Sequence, residues 1–194
     1  MIDSPLIMII GKSASGKSSL VERICSELNL KAIPSYTTRK PRYEGEQGHT
    51  FVTDAEYSNL ENIIAENTFC NNKYCVTEEQ VDNPEYSLYV VDCKGVESFK
   101  NSYQGTRKVF TVQIVCDEKI RVERLKHRYA KISKNEVEML NKVIDRLIAD
   151  NEEFSDIDRI ATYCINNTFD FEDSYRQFKE LVLEFLSQKN EGRI

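Results

Sequence analysis

An unbroken apolar run, Leu6-Ile7-Met8-Ile9-Ile10, opens the ordered pattern of the chain and predicts a strand buried on both faces. Residues 87–92 and 109–115 repeat that signature. Behind the first run, Leu20, Val21, Ile24, Cys25 and Leu28 recur at helical spacing. Shorter strand-like stretches occupy 31–36, 49–52, 74–77 and 159–165. Thr53-x-x-Glu56 predicts a capping box opening a helix through Leu60, Ile63 and Ile64. Ser133-x-x-Glu136 predicts a second, opening a helix with Val137, Leu140, Val143, Ile144, Leu147 and Ile148 on one side. Asp117 should cap a basic helix running to Tyr129, and Asp170 a terminal helix. The stripe Phe171, Tyr175, Phe178, Val182 and Phe185 on that last helix reads as core.

Strands alternating with helices predict an α/β fold of three layers, a parallel sheet covered by helices on both faces. Two stretches fit the alternation poorly. Residues 34–85 form an excursion rich in short strands, and residues 126–142 a helical one. A single domain is therefore expected over 1–194, with 1–33, 86–125 and 143–194 as its core.

Between the first strand and first helix stands Gly11-Lys12-Ser13-Ala14-Ser15-Gly16-Lys17-Ser18, an ungapped G-x-x-x-x-G-K-[ST] phosphate loop. Strand, tight glycine loop and helix aim backbone N–H groups and the positive helix end at one point, which suits a chain of phosphates. Lys17 is expected to reach the β- and γ-phosphates of a nucleoside triphosphate, and the Ser18 hydroxyl to complete the shell of Mg²⁺. Asp92 ends a buried strand, so in an open parallel sheet it should point to the same site.

Composition narrows the setting. The chain has 194 residues, 30% of them charged, and no run long or apolar enough to span a membrane. No signal-peptide pattern is visible, so a cytoplasmic location and no membrane partner are expected. Six cysteines lack C-x-x-C spacing and read as buried thiols. The net charge of −6 argues against nucleic-acid binding. Positive charge is nonetheless clustered at Arg39, Lys40 and Arg42, and again at Arg121, Arg124, Lys126, Arg128, Lys131 and Lys134, either as solvated faces or as clamps for a small polyanion.

The stretch Ser35-Tyr36-Thr37-Thr38-Arg39-Lys40-Pro41-Arg42, followed by Gly45-Glu46 and Phe51-Val52, resembles the guanylate kinase family among P-loop nucleoside monophosphate kinases. Tyr74, Asp92-Cys93-Lys94-Gly95, Arg124, Arg128, Arg146-Leu147 and Ile165-Asn166-Asn167 extend the resemblance over nearly the whole chain. It implies ATP-dependent phosphoryl transfer to GMP or dGMP, with 34–85 as the monophosphate-binding region and 126–142 as a mobile lid. On that resemblance Ser35, Arg39, Arg42 and Tyr74 would hold the acceptor phosphate. Lys17, Arg124, Arg128 and Arg146 would neutralise the transferring group. Asp92 would orient Mg²⁺, and Asn167 would line the adenine side. Nucleotides are the expected partners, and the chain a monomer or homodimer.

Departures concentrate where the acceptor base would be read. The family's guanine-contacting glutamate falls at Ala65, with Glu66 adjacent, and its small hydroxyl residue at Val76, with Thr77 adjacent. Val90 replaces a carboxylate, and His49 replaces a phosphate-binding tyrosine, as a donor or as a structural residue. The same transfer to another nucleoside monophosphate or to a sugar phosphate such as ribose 1,5-bisphosphate therefore stays open. So does a non-catalytic guanylate kinase-like binding module, although such a module has no chemical need for Lys17, Ser18, Asp92 and the arginines.

Overall fold

The computed structural model describes residues 4–188. The first apolar run becomes β1 (Leu6–Ile10), with every residue buried. β2 (Lys31–Ala32), β7 (Tyr86–Val90), β8 (Val109–Val115) and β9 (Tyr163–Asn166) join it in one sheet of order β2-β7-β1-β8-β9, all pairs parallel. Because side chains alternate along a strand, β1 serves two cores. Leu6, Met8 and Ile10 pack with Tyr89, Val96 and Phe99 on the side of α4 (Cys93–Ser102). Ile7 and Ile9 pack with Leu20 and Ile24 of α1 (Lys17–Leu28) and with Phe178, Val182 and Phe185 of α8 (Phe171–Ser187). The three-layer P-loop architecture is therefore the fold, and the terminal aromatic stripe is core.

The chain leaves this sheet at Ile33-Pro34 and builds a second one. β4 (His49–Phe51), β3 (Ser35–Thr37), β6 (Asn72–Thr77) and β5 (Ile63–Phe69) lie in the order β4-β3-β6-β5. The single strand expected over 31–36 is thus two strands in two sheets, separated at a proline that cannot donate to a ladder. β5 bulges between Ile64 and Asn67, where Ala65 takes φ +57°. Two residues there face one on the partner strand, which re-aims the side chains that follow.

The helices differ from expectation in places. Thr53 does cap α2 (Asp54–Ser58) with a full box, but the helix stops there and Ile63 and Ile64 lie in β5. Asn62 at φ +50° breaks the helical path, and the paired β-branched residues suit a strand. Asp117 caps α5 (Glu118–Ala130), as its spacing indicates. Asn135, not Ser133, caps α6 (Glu136–Glu153), its side chain accepting from the Glu138 N–H. α6 buries only part of the predicted face. Val143 is buried and Leu147 packs beside it, whereas Val137, Ile144 and Ile148 are exposed. Arg159 belongs to a short helix, α7 (Ile157–Ile160), rather than to β9. Cys75, Cys93 and Cys116 are buried, but Cys70 and Cys164 are exposed. No helix among the described residues is long and apolar enough to cross a membrane.

Candidate active site

The carboxyl ends of β1, β7, β8 and β9 converge, and the segments leaving them form one wall of a cavity of about 470 Å³. Gly11, Ser13, Ala14, Gly16, Lys17, Ser18 and Ser19 line its floor. Gly16 is required there: its φ is +101°, and a Cβ would stand 2.0 Å from the Asn167 amide nitrogen. Arg124 and Arg128 of α5 and Arg146 of α6 close one side. Ser35, Arg42, His49 and Tyr74 enter from the second sheet and its loop. Five cations thus face a cavity in which Asp92 is the carboxylate. In a chain of net charge −6 that concentration marks a polyanion site.

Lys17 Nζ is drawn back onto the loop, donating to the Gly11 and Lys12 carbonyls. Burial, reinforced by Arg146, Arg128 and Arg121 and opposed by Asp150, lowers its pKa to about 8. Burial and then Arg42 also push the Arg128 guanidinium down. The cations therefore crowd one another, and a bound polyphosphate would relieve the crowding.

Asp92 caps α4. Its Oδ1 accepts from the Gly95 N–H at 2.8 Å and its Oδ2 from the Asn67 amide at 2.8 Å. Each oxygen keeps a lone pair, and Ser18 lines the same cavity. Among the described residues no three His, Cys, Asp or Glu side chains are grouped so that they could hold a metal ion. This oxygen-only, sparse donor set suits Mg²⁺, which draws most of its ligands from water and phosphate, and does not suit a metal needing a protein cage.

On the second sheet, Ser35 Oγ lies 2.9 Å from His49 Nδ1. Burial, then Arg39 and Arg42, lower the His49 pKa to about 4, so the ring is neutral near neutrality. Glu46 organises the basic loop. It accepts from Arg39 Nη2 at 2.9 Å and Nη1 at 3.1 Å, from Arg42 Nη1 at 2.7 Å and from the Arg42 N–H at 2.6 Å.

Several expected residues stand elsewhere. Arg39 does not line the cavity; it pairs with Glu46 and lies over the Phe51 ring. Lys12 turns outward to Asn151, and Ser15 is buried behind the loop. Asn167 does line the cavity, but its amide donates to the Ser15 carbonyl and so braces the loop. The two substitutes for base-reading groups are corrected. Glu66 points away, accepting from the Tyr57 hydroxyl at 3.2 Å, because the bulge at Ala65 turns it off the cavity. Thr77 is spent as the N-cap of α3 (Glu78–Asp82), accepting from the Gln80 N–H. Ala65, Asn67, Tyr89, Val90, Val91 and Phe154 line that end instead. Sequence reasoning missed Asn67, whose placement depends on the bulge. It also missed Asp150, a carboxylate on the buried stripe of α6; that position was its available signal.

A family model described as 50S ribosome-binding GTPase matches residues 6–167. Two curated relatives are named guanylate kinase. One, from Bdellovibrio bacteriovorus, is 26% identical over 94% of this chain and 98% of its own length. The other, from Nitrosomonas europaea, is 27% identical over 84% of this chain and 82% of its own. A crystal structure of guanylate kinase from Anaplasma phagocytophilum superposes with a TM-score of 0.66 at 19% identity, covering 97% of this chain and 92% of that one.

Proposed function

Because the chain belongs to the P-loop family whose model spans its core and, among P-loop proteins, to the guanylate kinases, we propose that it transfers the terminal phosphoryl group of MgATP to a nucleoside monophosphate, GMP or dGMP first, releasing ADP and the diphosphate. The carrying observation is the second basic wall. A phosphate loop alone serves nucleotide hydrolysis, but Ser35, Arg42, His49 and Tyr74 face it across the same cavity. That arrangement has a use when a second phosphorylated molecule binds opposite the first.

In this reading the loop N–H groups and Lys17 hold the donor phosphates. Ser18 and Asp92 would hold Mg²⁺, which supplies charge neutralisation on the donor phosphates when bound. Arg42, a planar fork, would pair with acceptor phosphate oxygens, and Arg39 would set its position through Glu46. An acceptor phosphate oxygen attacks the γ-phosphorus in line, and the bond to the bridging oxygen of ADP breaks. Arg124, Arg128 and Arg146 neutralise the charge that spreads over the transferring group. No covalent enzyme intermediate is needed. Residues 34–85 would act as the acceptor-binding region and 126–142 as a lid excluding water.

The base end favours a second reading on one point. With Glu66 turned away and Val76 fully buried, the residues lining that end lack the paired acceptors a guanine edge would demand. An acceptor without a guanine, another monophosphate or a sugar phosphate such as ribose 1,5-bisphosphate, would then be preferred. ADP release from MgATP should be measured against GMP, dGMP, AMP, dTMP, CMP and ribose 1,5-bisphosphate, with Lys17→Ala as the blank. Acceptor-dependent ADP supports transfer and its rank order identifies the acceptor. Folded protein releasing ADP with no acceptor in the panel would refute this reading.

A further inference from the structure

The bases of α5 and α6 meet beneath the phosphate loop in a charged pair that does not touch the cavity. Arg121 is 3% exposed and Asp150 0%. Asp150 accepts from the Ser13 N–H at 2.9 Å, from the Ser13 hydroxyl at 2.7 Å and from the Arg121 guanidinium. Arg121 Nε donates to the Ser13 carbonyl at 2.9 Å. Every polar group of Ser13 is therefore taken by this pair.

Stability alone does not account for the arrangement. A buried ion pair is often replaceable by apolar side chains without loss, because desolvation offsets the attraction. What an apolar pair cannot do is accept from Ser13. Helical spacing adds a second consequence. Arg124 and Arg128 follow Arg121 by three and seven residues on α5, the same face, and Arg146 precedes Asp150 by four on α6. Arg146 Nε also donates to Ser13 Oγ, so a chain of two bonds runs from a cavity cation through Ser13 to Asp150. Arg146 Nε itself lies 3.7 Å from Asp150 Oδ1.

Resting on the transfer reading above, we infer that Arg121 and Asp150 are positioning residues, a buried pin that ties α5 and α6 to the phosphate loop through Ser13 and sets where Arg124, Arg128 and Arg146 stand. Both helices then share one fixed base, and only the segment beyond it is left to move. The transferring phosphoryl group meets its cations at a geometry fixed relative to the loop that holds ATP.

The test compares Arg121→Leu/Asp150→Ala, the charge swap Arg121→Asp/Asp150→Arg, and Ser13→Ala in the full chain, reading kcat, KM for ATP, ATP affinity and melting. The apolar pair leaves the buried Ser13 N–H and carbonyl without these partners and should melt below the wild type, yet keep KM for ATP within about 3-fold. Its kcat should fall about 10- to 100-fold, the effect of displacing catalytic groups by an ångström or so. Adding Arg146→Ala should then cost far less than it costs the wild type. The swap keeps opposite charges but places no acceptor at 150, so it should not recover. Unchanged kcat, full recovery by the swap, or an additive Arg146→Ala effect would each overturn the pin. If the apolar pair does not fold, Ser13→Ala breaks the chain while leaving both charges in place, and additivity with Arg146→Ala again refutes it. A wild type that bound ATP but served no acceptor would sink the transfer reading alone; the pin would then be judged by the same cycle on acceptor-independent ATP hydrolysis.

Discussion

Replacing Glu46 by Gln probes the acceptor wall most directly. One carboxylate holds two arginines there, through two bonds to Arg39 and two to Arg42. Burial alone would raise its pKa, but the Arg39 bond, the Arg42 N–H and both guanidinium charges outweigh burial and bring it from 4.5 down to about 2. At about 1.4 kcal/mol per unit, that depression corresponds to roughly 3 kcal/mol favouring the ionised, folded form. The loop is partly open to solvent, so we halve it to about 1.5 kcal/mol. The folded pKa is the lower one, so this stability is fully present above the unfolded value of 4.5 and is lost as pH falls towards 2. Glu46→Gln should therefore melt about 3–6 °C lower near neutral pH, and the gap should shrink by more than half near about pH 3. With the fork no longer held, KM for the acceptor should rise about 10-fold while KM for ATP stays put. Thermal unfolding across pH and steady-state kinetics read both. A gap independent of pH, or an unchanged acceptor KM, would refute the account of this wall.

Two further outcomes follow from the same geometry. Thr77→Ala should cost about 1 kcal/mol of stability by removing the α3 cap, measured by urea unfolding, and leave acceptor KM unaltered; a rise in acceptor KM would return Thr77 to the pocket. His49, held below its ordinary pKa by burial and by Arg39 and Arg42, stabilises the fold above an unfolded value of 6.5 and progressively less down to about 4. His49→Asn should thus lose less stability than the wild type between neutral and acidic pH, which melts at matched pH values would show, and equal slopes would contradict.

What the sequence made legible was local. The phosphate loop, the strand-ending Asp92 and the basic stretch 39–42 are contiguous patterns, and the carboxyl-end rule for parallel sheets brings the first two to one edge. The features that escaped are long-range. Ser13 and Asp150 meet from 137 positions apart, and no periodicity announces that encounter. The apolar residues of α6 invited one face through Val137, Leu140, Val143, Ile144, Leu147 and Ile148, yet of these only Val143 and Leu147 pack inward, beside Asp150, whose carboxylate Arg121 and Ser13 satisfy. Glu66 and Thr77 were adjacent to the right positions, but a bulge moved one and a helix cap consumed the other. Adjacency along a strand is a poor guide, since neighbours face opposite ways.

The central claim is that a phosphoryl group passes between two ligands in one cavity. Following the label from γ-³²P ATP, with Mg²⁺ and the acceptor that gives the most ADP, tests it most directly, comparing wild type with Lys17→Ala. The account predicts label on the acceptor phosphate, in step with ADP, and none with Lys17→Ala. Label appearing only as inorganic phosphate, at a rate indifferent to acceptor, would make the protein a hydrolase and contradict the account.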